Sequence, residues 1–148
     1  MGNRAISEAG LQLIKQFEGL KLDAYQDSGG IWTIGYGQTG PEIVKGTKWT
    51  QKQADEALAK SLSTMCLAVS TMAPVPLTEN QFAALVAFTF NVGPGRFRNS
   101  TLLKKLLAKD YAGAKAEFGK WDKVMGQPLP GLTRRRRAEA DLFGAPDA

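Results

Sequence analysis

Apolar residues along the chain fall mostly at three- and four-residue spacing, and in one short stretch they alternate. After Ser7, a plausible N-cap, Leu11, Leu13, Ile14 and Phe17 mark one face of a helix from Glu8, which Gly19 ends. Between Asp23 and about Gly46 the chain turns to Gly, Thr, Tyr and Trp, with Ser28-Gly29-Gly30 as the turn between two short extended runs. That predicts a small β-lobe. Alternation from Ile31 to Tyr36 puts Trp32, Ile34 and Tyr36 on one face and Ile31, Thr33 and Gly35 on the other, leaving the Thr33 hydroxyl off the most apolar face.

Thr50 and Gln53 then form a capping box, followed by Ala54, Leu58, Leu62, Met65, Val69 and Met72 at helical spacing, roughly 33 Å of helix. Pro74 and Pro76 end it. A second capping box, Thr78 with Gln81, opens a core helix carrying Phe82, Leu85, Val86 and Phe90. Gly93-Pro94-Gly95 breaks that helix, Ser100 caps a short one through Leu107, and Tyr111, Ala114, Phe118 and Trp121 form another apolar stripe. A loop rich in Pro and Gly, Gly126 to Gly131, precedes a last helix starting near Thr133. No repeat or linker divides the 148 residues, so a single domain is expected.

Composition narrows the chemistry. A 43% hydrophobic and 22% charged chain is globular, and its net charge of +5 favours a polyanionic partner, nucleic acid or bacterial cell wall. The lone Cys66 allows no intrachain disulfide, and its place among Leu62, Met65 and Val69 reads as a buried inert thiol. No apolar run is long enough for a signal peptide or a membrane span, so no stable membrane insertion is expected. The absence of histidine removes His-based triads and the common zinc sites, leaving carboxylates, hydroxyls, Lys or Cys66.

Glycoside hydrolysis needs one carboxylic acid to protonate the leaving oxygen and a second carboxylate to attack or to activate water. Glu18 and Asp27 supply such a pair. The C-terminal end of a helix disfavours a negative charge, which suits a proton donor at Glu18, while Asp27 sits in a Gly-rich turn where backbone and water solvate a carboxylate. Read singly, a helix-end Glu, a turn Asp and a strand Thr are ordinary surface features, so spacing alone does not select a glycosidase.

The stretch QFEGLKLDAYQDSGGIWTIGYGQTG resembles the active-site segment of the phage lysozymes (phage endolysin muramidases), with Glu18, Asp27 and Thr33 at the family's separations of nine and six. FNVGPGRFRNSTLLKKL resembles the segment lining that family's cleft, and GLTRRRRAEADLF its closing Arg-rich helix, in one order from Ile6 to Phe143. The resemblance implies an α+β fold. A β-lobe (about 20–48) would be joined by a long helix (about 51–72) to a helical lobe (about 78–143 with helix 8–18), with a cleft between. It further implies cleavage of the β-1,4 bond between N-acetylmuramic acid and N-acetylglucosamine in peptidoglycan, with Glu18 as general acid and Asp27 and Thr33 positioning water. Cleft candidates carried over are Gly37 and Gln38 from the β side, and Phe90, Asn91, Asn99 and Ser100 from the helical side. No metal or other cofactor is implied.

Where the family most often has His after the Tyr-Gly pair, this chain has Gln38, which hydrogen-bonds but does not ionise. In the family an Arg at the start of the last helix lies against the acid, and Arg134 is the nearest match. A monomeric endolysin is implied, held in the host cytoplasm until a separate membrane-permeabilising, holin-type protein gives it access to the wall. Two alternatives stand beside it: a lytic transglycosylase, which needs the acid but no water-positioning partner, and a catalytically silent wall- or nucleic-acid-binding module. The run Arg134 to Arg137 invites the last of these, although its spacing to Glu139 and Asp141 suits a solvated helix, and no nucleic-acid partner is expected.

Overall fold

A computed structural model of the chain describes residues 4–147. The Ser7 hydroxyl accepts from the Gly10 amide to open α1 (Glu8–Glu18), and Gly19 closes it at φ 71. An antiparallel pair follows, β1 (Lys21–Gln26) and β2 (Trp32–Gly35), with Gln26 opposite Trp32 and an irregular register between Lys21 and Tyr25. A bridge from Asp23 to Lys48 ties the returning loop to this pair.

Both predicted capping boxes are formed with both of their bonds, at the start of α2 (Gln51–Met72) and of α3 (Glu79–Val92). Beyond them lie α4 (Pro94–Arg98), α5 (Thr101–Leu107), α6 (Tyr111–Glu117), a 3-10 turn (Phe118–Trp121), the hairpin β3 (Lys123–Val124) and β4 (Gln127–Pro128), and α7 (Pro130–Gly144). The class is α+β, as expected.

Helix α3 is the centre of the helical lobe. Every residue from Phe82 to Thr89 is buried, because α1, α2 and α7 all pack against it, and a helix enclosed in this way is apolar on all sides. At its middle the Phe88 ring meets Phe97, Phe118 and Trp121 edge-on, at centroid distances of 6.4, 5.3 and 5.6 Å. Edge-to-face contacts of this kind add to the burial of the rings themselves.

Three expectations need correction. Helix α7 begins at Pro130 rather than near Thr133, since proline at the first helical position gives up only an N–H that has no helical partner. The same logic applies at Gly93-Pro94-Gly95, which breaks α3 but restarts at once as α4. Thr33 is not exposed: it retains 4% of its surface, and its hydroxyl donates to the Ile31 carbonyl at 2.9 Å. Alternation put Thr33 on the solvent face of a two-sided sheet, whereas the second face of β2 is also covered; Ile31, on the same side by pattern, is 53% exposed.

Candidate active site

Glu18 is the last residue of α1, and the chain returning from β2 passes directly over it. A Cβ built on Gly37, at φ 92, would stand 3.0 Å from Glu18 Oε1, so the glycine backbone lies against the carboxyl group. A cleft of about 410 Å³ opens there, lined by Glu18, Gly37, Gln38, Thr39, Ser61, Phe90 and Asn91. It draws on α1, the β-lobe loop, α2 and the end of α3, so only the folded chain assembles it.

Behind the cleft a chain of charges runs into the protein. Arg135 Nη1 lies 2.9 Å from Glu18 Oε2, with the two side chains 7% and 19% exposed. The Arg135 guanidinium also sits 5.7 Å from the Phe17 ring centroid, within cation–π range. Next along is Glu139, fully buried, at 3.6 Å from Arg135 Nε and 3.0 Å from Arg136 Nε. Arg136 then donates to Asn91 Oδ1 at 2.6 Å, returning to the cleft wall. Burial pushes the Glu139 carboxyl up to about 7, against the pull of the Arg136 and Arg135 guanidiniums.

Asp27 and Thr33 form a separate unit. Asp27 Oδ1 accepts from the Gly29 and Ile31 amides at 2.9 Å each, which pins the turn between β1 and β2. The Asp27 amide in turn donates to the Ile31 carbonyl, the same oxygen that accepts from Thr33 Oγ1. Ile31 therefore engages both side chains, its amide donating to Asp27 Oδ1 and its carbonyl accepting from Thr33 Oγ1. With its amide bonds on Oδ1, the exposed Asp27 keeps Oδ2 clear of them. Neither residue is among those lining the 410 Å³ volume.

Residues 15–139 match the family model described as phage lysozyme. The chain belongs to the phage lysozyme family. An endolysin of Acyrthosiphon pisum secondary endosymbiont phage 1 is 49% identical over 93% of this chain and 97% of its own length. An endolysin of Bacillus phage PZA is 42% identical over 95% of this chain, but only 55% of that longer protein is covered. Among solved structures, the muramidase domain of SpmX from Asticaccaulis excentricus superposes with a TM-score of 0.89 at 39% identity, covering 97% of this chain and all of that one. The fold is lysozyme-like, and the chain is by family a lysozyme-type glycoside hydrolase.

Of the residues carried over from the phage lysozymes, Glu18, Gly37, Gln38, Phe90 and Asn91 meet in the cleft. Gln38 turns its Oε1 onto the Tyr36 amide at 2.7 Å, so it braces the loop that presents Gly37. Phe90 both lines the cleft and packs against the core. Ser100 does not reach the cleft: it is buried, donates to the Phe97 carbonyl at 2.7 Å and accepts from the Leu103 amide, the work of an N-cap. Asn99 lies outside the lining of that volume; it is exposed, and its Nδ2 donates to the Gly95 carbonyl at 3.1 Å.

The arginine that lies against Glu18 is Arg135, not Arg134. With α7 starting at Pro130, the turn of about 100° per residue aims Arg135 at α1 and leaves Arg134 exposed. Thr39 and Ser61 were absent from the sequence-derived site. Ser61 adjoins the buried Leu62 in α2, and nothing in the helical pattern distinguishes a small residue facing a cleft from one facing solvent.

Gly37→Ala tests the close approach. A side chain at φ 92 is strained by about 1 kcal/mol, and its Cβ displaces the Glu18 carboxyl. We expect a modest fall in melting temperature and about a tenfold loss of lytic rate. Unchanged activity in the folded variant would show that the carboxyl position tolerates the intrusion.

Proposed function

We propose that the chain is an endolysin that hydrolyses the β-1,4 bond between N-acetylmuramic acid and N-acetylglucosamine in peptidoglycan. The observation that carries the reading is a carboxyl group, Glu18, set at the wall of a cleft large enough for a sugar ring. Phe90 offers that ring an apolar surface, and Gln38, Thr39, Ser61 and Asn91 offer amide and hydroxyl groups to its hydroxyl and acetamido substituents.

In this reading Glu18 protonates the glycosidic oxygen as the bond to the anomeric carbon breaks. Water attacks that carbon, and its proton passes to Asp27. Thr33, whose own proton is committed to the Ile31 carbonyl, accepts a hydrogen bond from the water. Arg135 fixes the orientation of the Glu18 carboxyl. Configuration is inverted if the two carboxyl groups stand about 6.5–9.5 Å apart around a bound substrate. The reaction draws on no metal or organic cofactor.

The biological setting follows as part of the same proposal. The enzyme is a single-domain monomer, held in the host cytoplasm until a separate holin-type protein opens the membrane. Among the described residues no helix is long and apolar enough to cross a membrane. The net charge of +5 draws the protein to the anionic wall.

Product analysis tests the chemistry. Peptidoglycan digested by the purified chain should yield saccharides with ordinary reducing ends, and Asp27→Ala should slow their release by about a hundredfold. Anhydro-sugar ends would instead establish a lytic transglycosylase. Salt-sensitive DNA binding without loss of wall turbidity would point to a binding module.

A further inference from the structure

The hairpin β3–β4 stands clear of the core. All nine residues from Lys123 to Gly131 are exposed, and five of them are apolar: Val124, Met125, Pro128, Leu129 and Pro130. Val124 and Leu129 keep 48% and 43% of their surface, and Met125, at the tip, keeps 97%. A single exposed apolar side chain is ordinary, but a contiguous set rimmed by polar groups marks an interaction surface.

The turn chemistry points the same way. Val124 pairs with Gln127, so Met125 and Gly126 form a two-residue loop, with φ 53 and 82. Positive φ at both central positions is the type I′ pattern, which favours Asn-Gly and strains a side chain such as Met. The tip thus gives up local stability to present a long aliphatic side chain. Its foot, by contrast, is fastened: the Leu129 amide donates to the Asp122 carbonyl at 2.9 Å, and the Thr133 hydroxyl to Asp122 Oδ2 at 2.7 Å.

Charge is sorted around the hairpin. Between Asp110 and Asp141 the carboxylates, Glu117, Asp122 and Glu139, are buried or half-buried, whereas Lys120, Lys123, Arg134 and Arg137 are exposed. Lys120 and Lys123 pair with Glu117 and Asp122. Arg134 and Arg137, three residues apart on the solvent face of α7, carry no ion pair among the described residues. A Cβ built on Gly131 would stand 3.9 Å from Arg134 Nη2, which puts that guanidinium at the foot of the hairpin.

We propose that the β3–β4 hairpin docks the protein peripherally on an anionic phospholipid bilayer, with Met125 and its apolar neighbours entering the acyl boundary and the basic side chains meeting lipid phosphates. Aliphatic side chains backed by cations fit that interface. A nucleic acid would use the cations but leave the aliphatic tip without a role, since bases stack on aromatic rings and the hairpin has none. A polar glycan strand offers Met125 no apolar phase to enter. The docking does not depend on which carboxyl groups carry hydrolysis. Because the hairpin leads into α7, which sets Arg135 against Glu18, it holds the lobe that bears the cleft at the membrane surface.

The experiment is sedimentation of the full chain with vesicles of phosphatidylglycerol and phosphatidylcholine in equal parts, beside vesicles of phosphatidylcholine alone. The protein should bind the first and not the second, and more weakly as salt rises. Met125→Asn is expected to weaken binding about tenfold. Its melting temperature should hold or rise, because Asn suits the turn, and a merely structural role for Met125 would give the opposite. Its hydrolysis of soluble, lipid-free peptidoglycan fragments should match the wild type, which separates a lost membrane contact from a fault in the cleft. Arg134→Gln combined with Arg137→Gln should weaken binding about thirtyfold. A wild type that ignores the anionic vesicles, or that binds both kinds equally, overturns the proposal, as does Met125→Asn binding like the wild type. Loss of affinity for purified, lipid-free walls in Met125→Asn also overturns it and assigns the hairpin to the wall instead.

Discussion

Glu18→Gln is expected to slow the clearing of peptidoglycan by about a thousandfold with the fold intact. The amide matches the carboxyl in size and still accepts from Arg135, so the cleft keeps its shape. It has no acidic proton, however, and the leaving oxygen must then depart as an alkoxide or borrow a proton from water. Stability should fall only slightly, because Arg135 retains Glu139 at 3.6 Å and is not left as an uncompensated buried charge. Turbidity assays on purified walls, run beside thermal melts monitored by circular dichroism, measure both quantities. Full lytic activity in the folded variant would remove Glu18 from the mechanism.

Phe88→Ala carries the largest expected cost in stability. The ring has no exposed surface, makes three edge-on aromatic contacts and lies under the Arg136 guanidinium. Its removal forfeits the transfer free energy of the ring and leaves a cavity that α3, enclosed on several sides, cannot collapse to fill. About 4 kcal/mol is expected, which for a chain of this size lowers the melting temperature by roughly 10 °C. Because Arg136 both covers Phe88 and clamps Glu139, the loss should also slow hydrolysis below the melting temperature. A cost under about 1 kcal/mol would mean that the helical lobe is held by other contacts.

The active-site region was partly legible before folding was considered. Ser7 and Gly19 bracket α1 by rules that act within one helical turn, so Glu18 falls at the helix end in sequence and structure alike. The two capping boxes worked for the same reason: donor and acceptor sit three residues apart and need no other part of the chain. Asp27 in its turn is also local, its oxygen engaged by amides two and four residues ahead. Ser100 shows the limit of a carried-over motif, since its local capping bond outcompeted a place in the cleft.

Thus the sequence by itself determined the ends of α1, α2 and α3, the small β-lobe, the α+β class and the local settings of Glu18 and Asp27. Those depend on hydrogen bonds and apolar spacing within a few residues. Only the tertiary structure decided that Thr33 is covered, that Ser61 meets Phe90 across a cleft, and that Arg135 rather than Arg134 reaches Glu18. Each of those depends on which way a helix or strand is rotated against partners far away in sequence. A shift of one residue, about 100° of helix, is invisible to local rules and decisive for the site.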